Sequence, residues 1–175
     1  MSDLKALLLA NPRRTLAVAE SLTCGRLQAR IGSISGASEF FLGGITAYTL
    51  DEKVRHLGVD RAEAAAVNSV SARVAEQMAR GACALFGSDA GIGTTGYSEP
   101  SGAWHVDEPF AWWGLALRQP GGDYAVHHGR VDLAGLARVD AQERAAAAAL
   151  DGLVGWLREP PAGRRTRAAA PPAAG

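Results

Sequence analysis

The chain has 175 residues, 47% of them hydrophobic, with 18 Lys plus Arg matched by 18 Asp plus Glu. Length and apolar content suffice for one domain with a real core, and the zero net charge gives no bulk electrostatic reason to expect nucleic acid as a partner. Two cysteines cannot make a disulfide framework, no apolar run approaches the roughly 18–20 residues of a membrane span, and the opening stretch is too short in apolar residues and too acidic for a good signal peptide.

In chain order, Ser2 or Asp3 is expected to cap a short helix that Pro12 closes. Thr15–Ala19 reads as a buried strand and Thr23–Gly32 as a helix carrying Leu27 and Ile31 at i, i+4 spacing. A loop spans 32–36, and 40–50 holds a second strand centred on Gly44–Tyr48. Asp51 is placed to cap a short helix running to Leu57 and ended by Gly58. Ser71–Phe86 is the clearest amphipathic helix, with Val74, Met78, Ala82 and Leu85 on one stripe. Asp89–Thr95 is a third strand, and Trp112–Arg118 and Tyr124–Val131 are two more joined by a hairpin at 119–123. Asp140–Leu157 is an Ala-rich closing helix with Asp140 as its cap.

Strands alternating with helices imply a layered α/β domain, and the late hairpin makes its sheet mixed. The domain is expected over 1–157. Residues 158–175, rich in Pro, Ala and Arg, cannot bury apolar surface and are expected to form a disordered tail. That tail concentrates positive charge, with Arg158, Arg164, Arg165 and Arg167 against Glu159. Its scattered arginines promise weak, salt-sensitive attraction to nucleic acid at best. A cytoplasmic protein with Cys24 and Cys83 as reduced thiols is the expectation.

Chemistry concentrates first at Ala19-Glu20-Ser21-Leu22-Thr23-Cys24-Gly25, where an apolar run stops and a helix follows. A hydroxyl placed there lies beside the unpaired N–H groups of a helix N-terminus. Ser21 reads either as a helix cap or as a nucleophile with oxyanion donors in the following amides. No histidine completes a triad, so a lysine is the economical base. Lys53 would need burial to lower its pKa, and in isolation it reads as a solvated helix-face residue. Tyr48, five residues earlier, could relay or orient the proton.

Gly91-Ile92-Gly93-Thr94-Thr95-Gly96 matches a dinucleotide fingerprint in letters only, because it lies within a strand rather than at a strand-to-helix turn. A close-packed strand is the better account. His127 and His128 point to opposite faces of a strand, a poor arrangement for chelation, so no metal is expected. Cys24 reads as a small buried residue rather than an activated thiolate. Trp104, Trp112 and Trp113 are either packing residues or an aromatic wall for a flat ligand.

Together these blocks resemble the CinA C-terminal domain family, whose members include nicotinamide mononucleotide deamidases. The likeness rests on Ala19–Gly25, on Ser35–Val59 with its ordered Gly43-Gly44, Tyr48, Lys53 and Leu57-Gly58-Val59, and on Ala66–Ser71 before the long helix. It runs from about Thr15 to Leu157. The resemblance implies a three-layer α/β/α fold with a mixed five-stranded sheet, one strand being antiparallel. It implies hydrolysis of the nicotinamide carboxamide to acid and ammonia without a cofactor, with Ser21 as nucleophile and Tyr48 and Lys53 as its partners. Glu20, Thr23, Gly25, Gly44 and Thr46 in the matching blocks, Gly96 beyond them, and Arg130 as an anion contact, are expected to bind substrate. The partner is a small molecule, with no nucleic acid and no membrane, and self-association is left open. Longer relatives carry an additional N-terminal domain that this chain is expected to lack.

Three departures bear on substrate. Cys24 stands where the family has glycine, a strained choice if φ must be positive. A glycine-rich family loop becomes Gly96-Tyr97-Ser98-Glu99-Pro100-Ser101-Gly102-Ala103, and a lysine position becomes a carboxylate in Asp107-Glu108. Glu99, Asp107 and Glu108 beside a substrate phosphate would repel it. The competing expectation is therefore an inactive paralogue that binds a ligand or protein.

Overall fold

The structure, a computed structural model, describes residues 2–159. Strand β1 (Leu16–Glu20) is buried along its whole length. Strands β2 (Phe41–Thr46) and β3 (Ala90–Tyr97) flank it in parallel, and β4 (Phe110–Arg118) and β5 (Tyr124–Asp132) continue the sheet in the order β2-β1-β3-β4-β5. β4 pairs antiparallel with both β3 and β5, so it alone runs against the other four. This is the expected mixed five-stranded sheet.

The period-2 alternation of β1 divides the core in two. Leu16 and Val18 face a layer built by α1 (Ser2–Leu9), α2 (Arg26–Gly32) and α6 (Arg138–Arg158), against Leu8, Leu27, Ile31 and Leu153. Ala17 and Ala19 face the other layer, α3 (Leu50–Leu57), α4 (Arg61–Ala66) and α5 (Ala72–Phe86), against Leu57, Ala64, Val74 and Met78. Asp3 in the first turn of α1 pairs with Arg158 in the last turn of α6, joining the two ends of the described chain.

The glycine-rich strand has a packing explanation. A Cβ at Gly91 or Gly93 would overlap the main chain of Ala79 or Ala75, and one at Gly114 on β4 would overlap Ala75 and Glu76. Helix α5 therefore rests its backbone directly on the sheet. The buried face of α5 holds Val74, Met78 and Ala82 as expected, but widens through Ala75, Ala79 and Cys83, while Leu85 is 47% exposed.

Several boundaries differ from the sequence reading. Thr49, not Asp51, caps α3 by accepting from the Glu52 N–H. Asp140 does not cap α6, which begins at Arg138 after Ala137. Helix α4 was not anticipated; Asp60 caps it by accepting from the Glu63 N–H at 2.8 Å. Helix α6 extends to Arg158, and the tail expected from 158 onward lies outside the described residues beyond Glu159.

Candidate active site

The site starts from a buried carboxylate. Glu20 ends β1 with no exposed surface, and its side chain accepts four hydrogen bonds: from the Gly25 N–H at 2.9 Å, the Leu27 N–H at 3.1 Å, the Gln28 N–H at 3.0 Å and Gln28 Nε2 at 3.1 Å. These satisfy the first-turn donors of α2, whose N-cap Gly25 offers no side chain. Glu20 therefore anchors a helix start, and it is not among the residues that line the cavity beside Ser21. Thr23 is also structural: its hydroxyl bonds that of Thr94 on β3 at 2.8 Å, fully buried.

Between these two anchors the chain makes the Ser21–Gly25 turn. Gly25 has φ 93°, and Cys24 has φ 48° in the left-handed region. Cys24 is exposed, not buried as the sequence suggested, because the turn projects it outward before α2 begins at Arg26 rather than Thr23. Ser21 is held by its N–H donating to the Thr94 carbonyl at 3.1 Å and by its carbonyl accepting from the Cys24 N–H at 3.2 Å. The N–H groups of Leu22 and Thr23, next after Ser21, donate to no protein acceptor among the described residues.

Lys53 meets Ser21 from helix α3. It is 2% exposed, and its Nζ donates to Ser21 Oγ at 3.0 Å and to the Tyr48 carbonyl at 2.8 Å. Burial without a carboxylate partner lowers its pKa from 10.5 to about 8. About a tenth of Lys53 is then neutral near pH 7, enough to supply a base. The Tyr48 hydroxyl does not join this pair. It lies at the rim on a half-exposed side chain and accepts from Arg138 Nη2 at 3.1 Å. The main-chain carbonyl of Tyr48, not its phenol, is what orients the lysine.

These groups line a cavity of about 530 Å³. Its far wall is Asn68 and Ser69, two non-glycine residues with φ of 49° and 60°. They are fixed by Thr95 Oγ1 donating to the Ser69 carbonyl at 2.6 Å and Asn68 Nδ2 donating to the Tyr97 hydroxyl at 3.1 Å. Left-handed backbone costs about 1–2 kcal/mol per such residue, so the surrounding bonds must over-determine this wall. Arg138, from the first turn of α6, closes the rim and pairs with Glu99.

The remaining expectations resolve individually. Gly96 lines the cavity, but its missing side chain is required by the Phe110 carbonyl and Ala111 on β4. Gly44 faces Val18 and Gln28, so its smallness serves packing. Thr46 is exposed at the end of β2 and does not line the cavity. Arg130 lies over the Phe110 ring at 4.4 Å and bonds Asp132 at 3.1 Å, away from the site. Of the three loop carboxylates only Glu99 reaches the cavity, and Arg138 compensates it. The aromatic groups lining it are Tyr48 and Tyr97, not the tryptophans. Among the described residues no group of three or more His, Cys, Asp or Glu could hold a metal ion.

Comparison with known proteins agrees on one family. The CinA C-terminal domain pattern matches residues 1–157. A CinA-like protein of Chlorobium limicola (strain DSM 245 / NBRC 103803 / 6330) is 38% identical over 154 residues, 87% of this chain and 35% of that protein. A CinA-like protein of Picosynechococcus sp. (strain ATCC 27264 / PCC 7002 / PR-6) is 52% identical over 93 residues, 53% of this chain and 22% of that one. The chain thus spans about a third or less of the length of these curated relatives. The crystal structure of competence damage-inducible protein A (ComA) from Klebsiella pneumoniae subsp. pneumoniae MGH 78578 superposes with a TM-score of 0.78 at 25% identity, covering 89% of this chain and 93% of that one. Sequence and backbone agree along nearly the whole described domain, and the chain belongs to the CinA C-terminal domain family.

Proposed function

We propose that the chain is an amidohydrolase acting on a nicotinamide-type carboxamide, either nicotinamide mononucleotide or a less anionic relative. The observation that carries this reading is the buried Lys53 Nζ, 3.0 Å from Ser21 Oγ. In its neutral form Lys53 takes the Ser21 proton as the oxygen attacks the amide carbon. The negative charge that develops on the carbonyl oxygen falls to the free N–H groups of Leu22 and Thr23. Protonated Lys53 then gives its proton to the leaving nitrogen, ammonia departs, and an ester on Ser21 remains. Water, deprotonated by Lys53, attacks that ester, and the acid leaves as Ser21 is reprotonated. Arg138 supports a phosphorylated substrate, since a ligand phosphate could replace Glu99 as its partner.

Ammonia release from nicotinamide mononucleotide, nicotinamide riboside and nicotinamide tests the proposal. Turnover of at least one, lost in Ser21→Ala, supports it; no turnover, with Ser21→Ala and parent alike, removes it. A second reading, a ligand-binding paralogue without turnover, draws on the Arg138–Glu99 pair across the rim and on the exposed Trp104 nearby. Thermal stabilisation by these ligands without ammonia release would favour it. In the first reading the partner is a small molecule; in the second it is a ligand or a protein. No described helix is long and apolar enough to cross a membrane. A cytoplasmic location belongs to the proposal because both cysteines are unpaired thiols.

A further inference from the structure

A second cavity, of about 520 Å³, opens at the other end of the sheet from Ser21. Three segments far apart in the chain meet there. Asp89, just before β3, receives hydrogen bonds on Oδ2 from the N–H and hydroxyl of Thr15, each at 2.8 Å. Its carbonyl accepts from the Arg118 N–H at 2.8 Å. Register therefore sets the residue before β1, the residue before β3 and the last residue of β4 side by side.

The consequence is a concentration of guanidinium groups. Arg13, Arg14 and Arg118 line the cavity against the single carboxylate of Asp89. Their donors are largely unspent. Arg14 makes no side-chain hydrogen bond or ion pair among the described residues. Arg13 has one contact, to Glu39 at 4.0 Å, and that carboxylate is already held by Lys5 at 2.6 Å. Arg118 has one bond of 3.4 Å, to the Ser88 carbonyl, and lies over the Tyr124 ring at 5.5 Å. The remaining lining is Pro12, Pro120, the buried Leu117 and Gln119, whose amide donates to the Leu117 carbonyl at 3.1 Å. Guanidinium forks match phosphate oxygens two at a time, and the volume suits a ligand of nucleotide size.

We propose that this cavity binds a phosphorylated small molecule of nucleotide size, its phosphate on Arg14 and Arg118 and its less polar body against Leu117 and the prolines. The site is separate from the Ser21 cavity and does not depend on the amidohydrolase reading. Strands β1 and β3 connect the two ends, running from Thr15 and Asp89 to Ser21 and Thr95.

Amide NMR of the full chain, titrated with AMP and with inorganic phosphate at constant ionic strength, tests it. The expected result is saturable AMP-induced shifts in the amides of 13–15, 88–90, 117–119 and 121, with AMP binding more tightly than phosphate. Arg14→Gln and Arg118→Gln should each weaken AMP about tenfold or more, while Ser21→Ala leaves that binding unchanged. Arg118 is exposed and Arg14 half-buried, and an unchanged spectrum elsewhere shows that each variant is folded. Shifts confined to the Ser21 end, affinity indifferent to both arginine substitutions, or phosphate binding as tightly as AMP would overturn the proposal.

Discussion

Replacing Lys53 with methionine removes an ammonium from a site where it is 2% exposed and keeps a side chain of similar length. In the unfolded chain a lysine holds its proton up to about pH 10.5; in the fold burial lowers that to about 8. Between these values the unfolded state binds more protons than the native state, so this residue makes stability rise with pH. Below about pH 8 both states are charged, and the fold carries the full cost of the buried ammonium. The drop from 10.5 to about 8 converts to roughly 3 kcal/mol. Against this, Lys53→Met loses two hydrogen bonds and strands the Tyr48 carbonyl, about 1–3 kcal/mol. Near pH 7 the variant should therefore be as stable as the parent or slightly more so. Urea unfolding of both proteins at about pH 7, 8.5 and 10 isolates the lysine contribution, because the backbone and other titrations cancel. The stability of the parent relative to the variant should climb by about 2.5 kcal/mol across that range. Amidase activity in the variant should fall by about 10²–10⁴-fold. A relative stability that stays flat or falls with pH would refute the reasoning, since Lys53 would then be no better a base than a solvated lysine.

Three further outcomes follow from other residues. Glu20→Gln should destabilise the protein by about 2–4 kcal/mol, since a neutral amide cannot accept all four α2 donors; chemical denaturation measures it. Cys24→Gly should stabilise by roughly 0.5–1 kcal/mol, because relief of the left-handed backbone, about 1–2 kcal/mol, exceeds the added unfolded-state entropy; thermal melting reads the sign. Arg138→Gln should raise KM for a phosphorylated amide about tenfold or more while sparing its unphosphorylated counterpart, which paired steady-state kinetics would show.

The strands were legible because their apolar runs and turn residues agree locally. Thr15–Ala19 lies one residue from the observed β1, and the 119–123 hairpin joins β4 to β5 as read. Ser21 and Lys53 were singled out by their chemistry and tied to one another only through resemblance: nothing in a separation of 32 residues says that two side chains touch. Arg138 carried no signal, since its partners Glu99 and Tyr48 lie 39 and 90 residues away. Ser69 and Thr95 were equally silent, as one offers a carbonyl and the other a hydroxyl to a contact made only in three dimensions. The anchoring role of Glu20 was not legible because its four donors belong to a helix start whose direction the sequence does not state. Thr49 and Asp51 are both good caps within three residues, so composition could not choose between them. Helix α4, with the sequence Arg61-Ala62-Glu63-Ala64-Ala65-Ala66, has no apolar stripe long enough to show a period.

The seating of α5 on Gly91, Gly93 and Gly114 has a kinetic consequence. Most helix–sheet contacts are cushioned by side chains that can change rotamer and let the helix shift. Here peptide groups lie against peptide groups, and no rotamer change can loosen them without parting the layers. Amides in the middle of α5 and in β3 should consequently have no low-energy opening of their own, and should exchange with solvent deuterium only when the whole domain unfolds. Their exchange rates would then give the global unfolding free energy directly, while the Ser21–Gly25 turn and the Arg138 rim exchange faster on either side of that rigid plane.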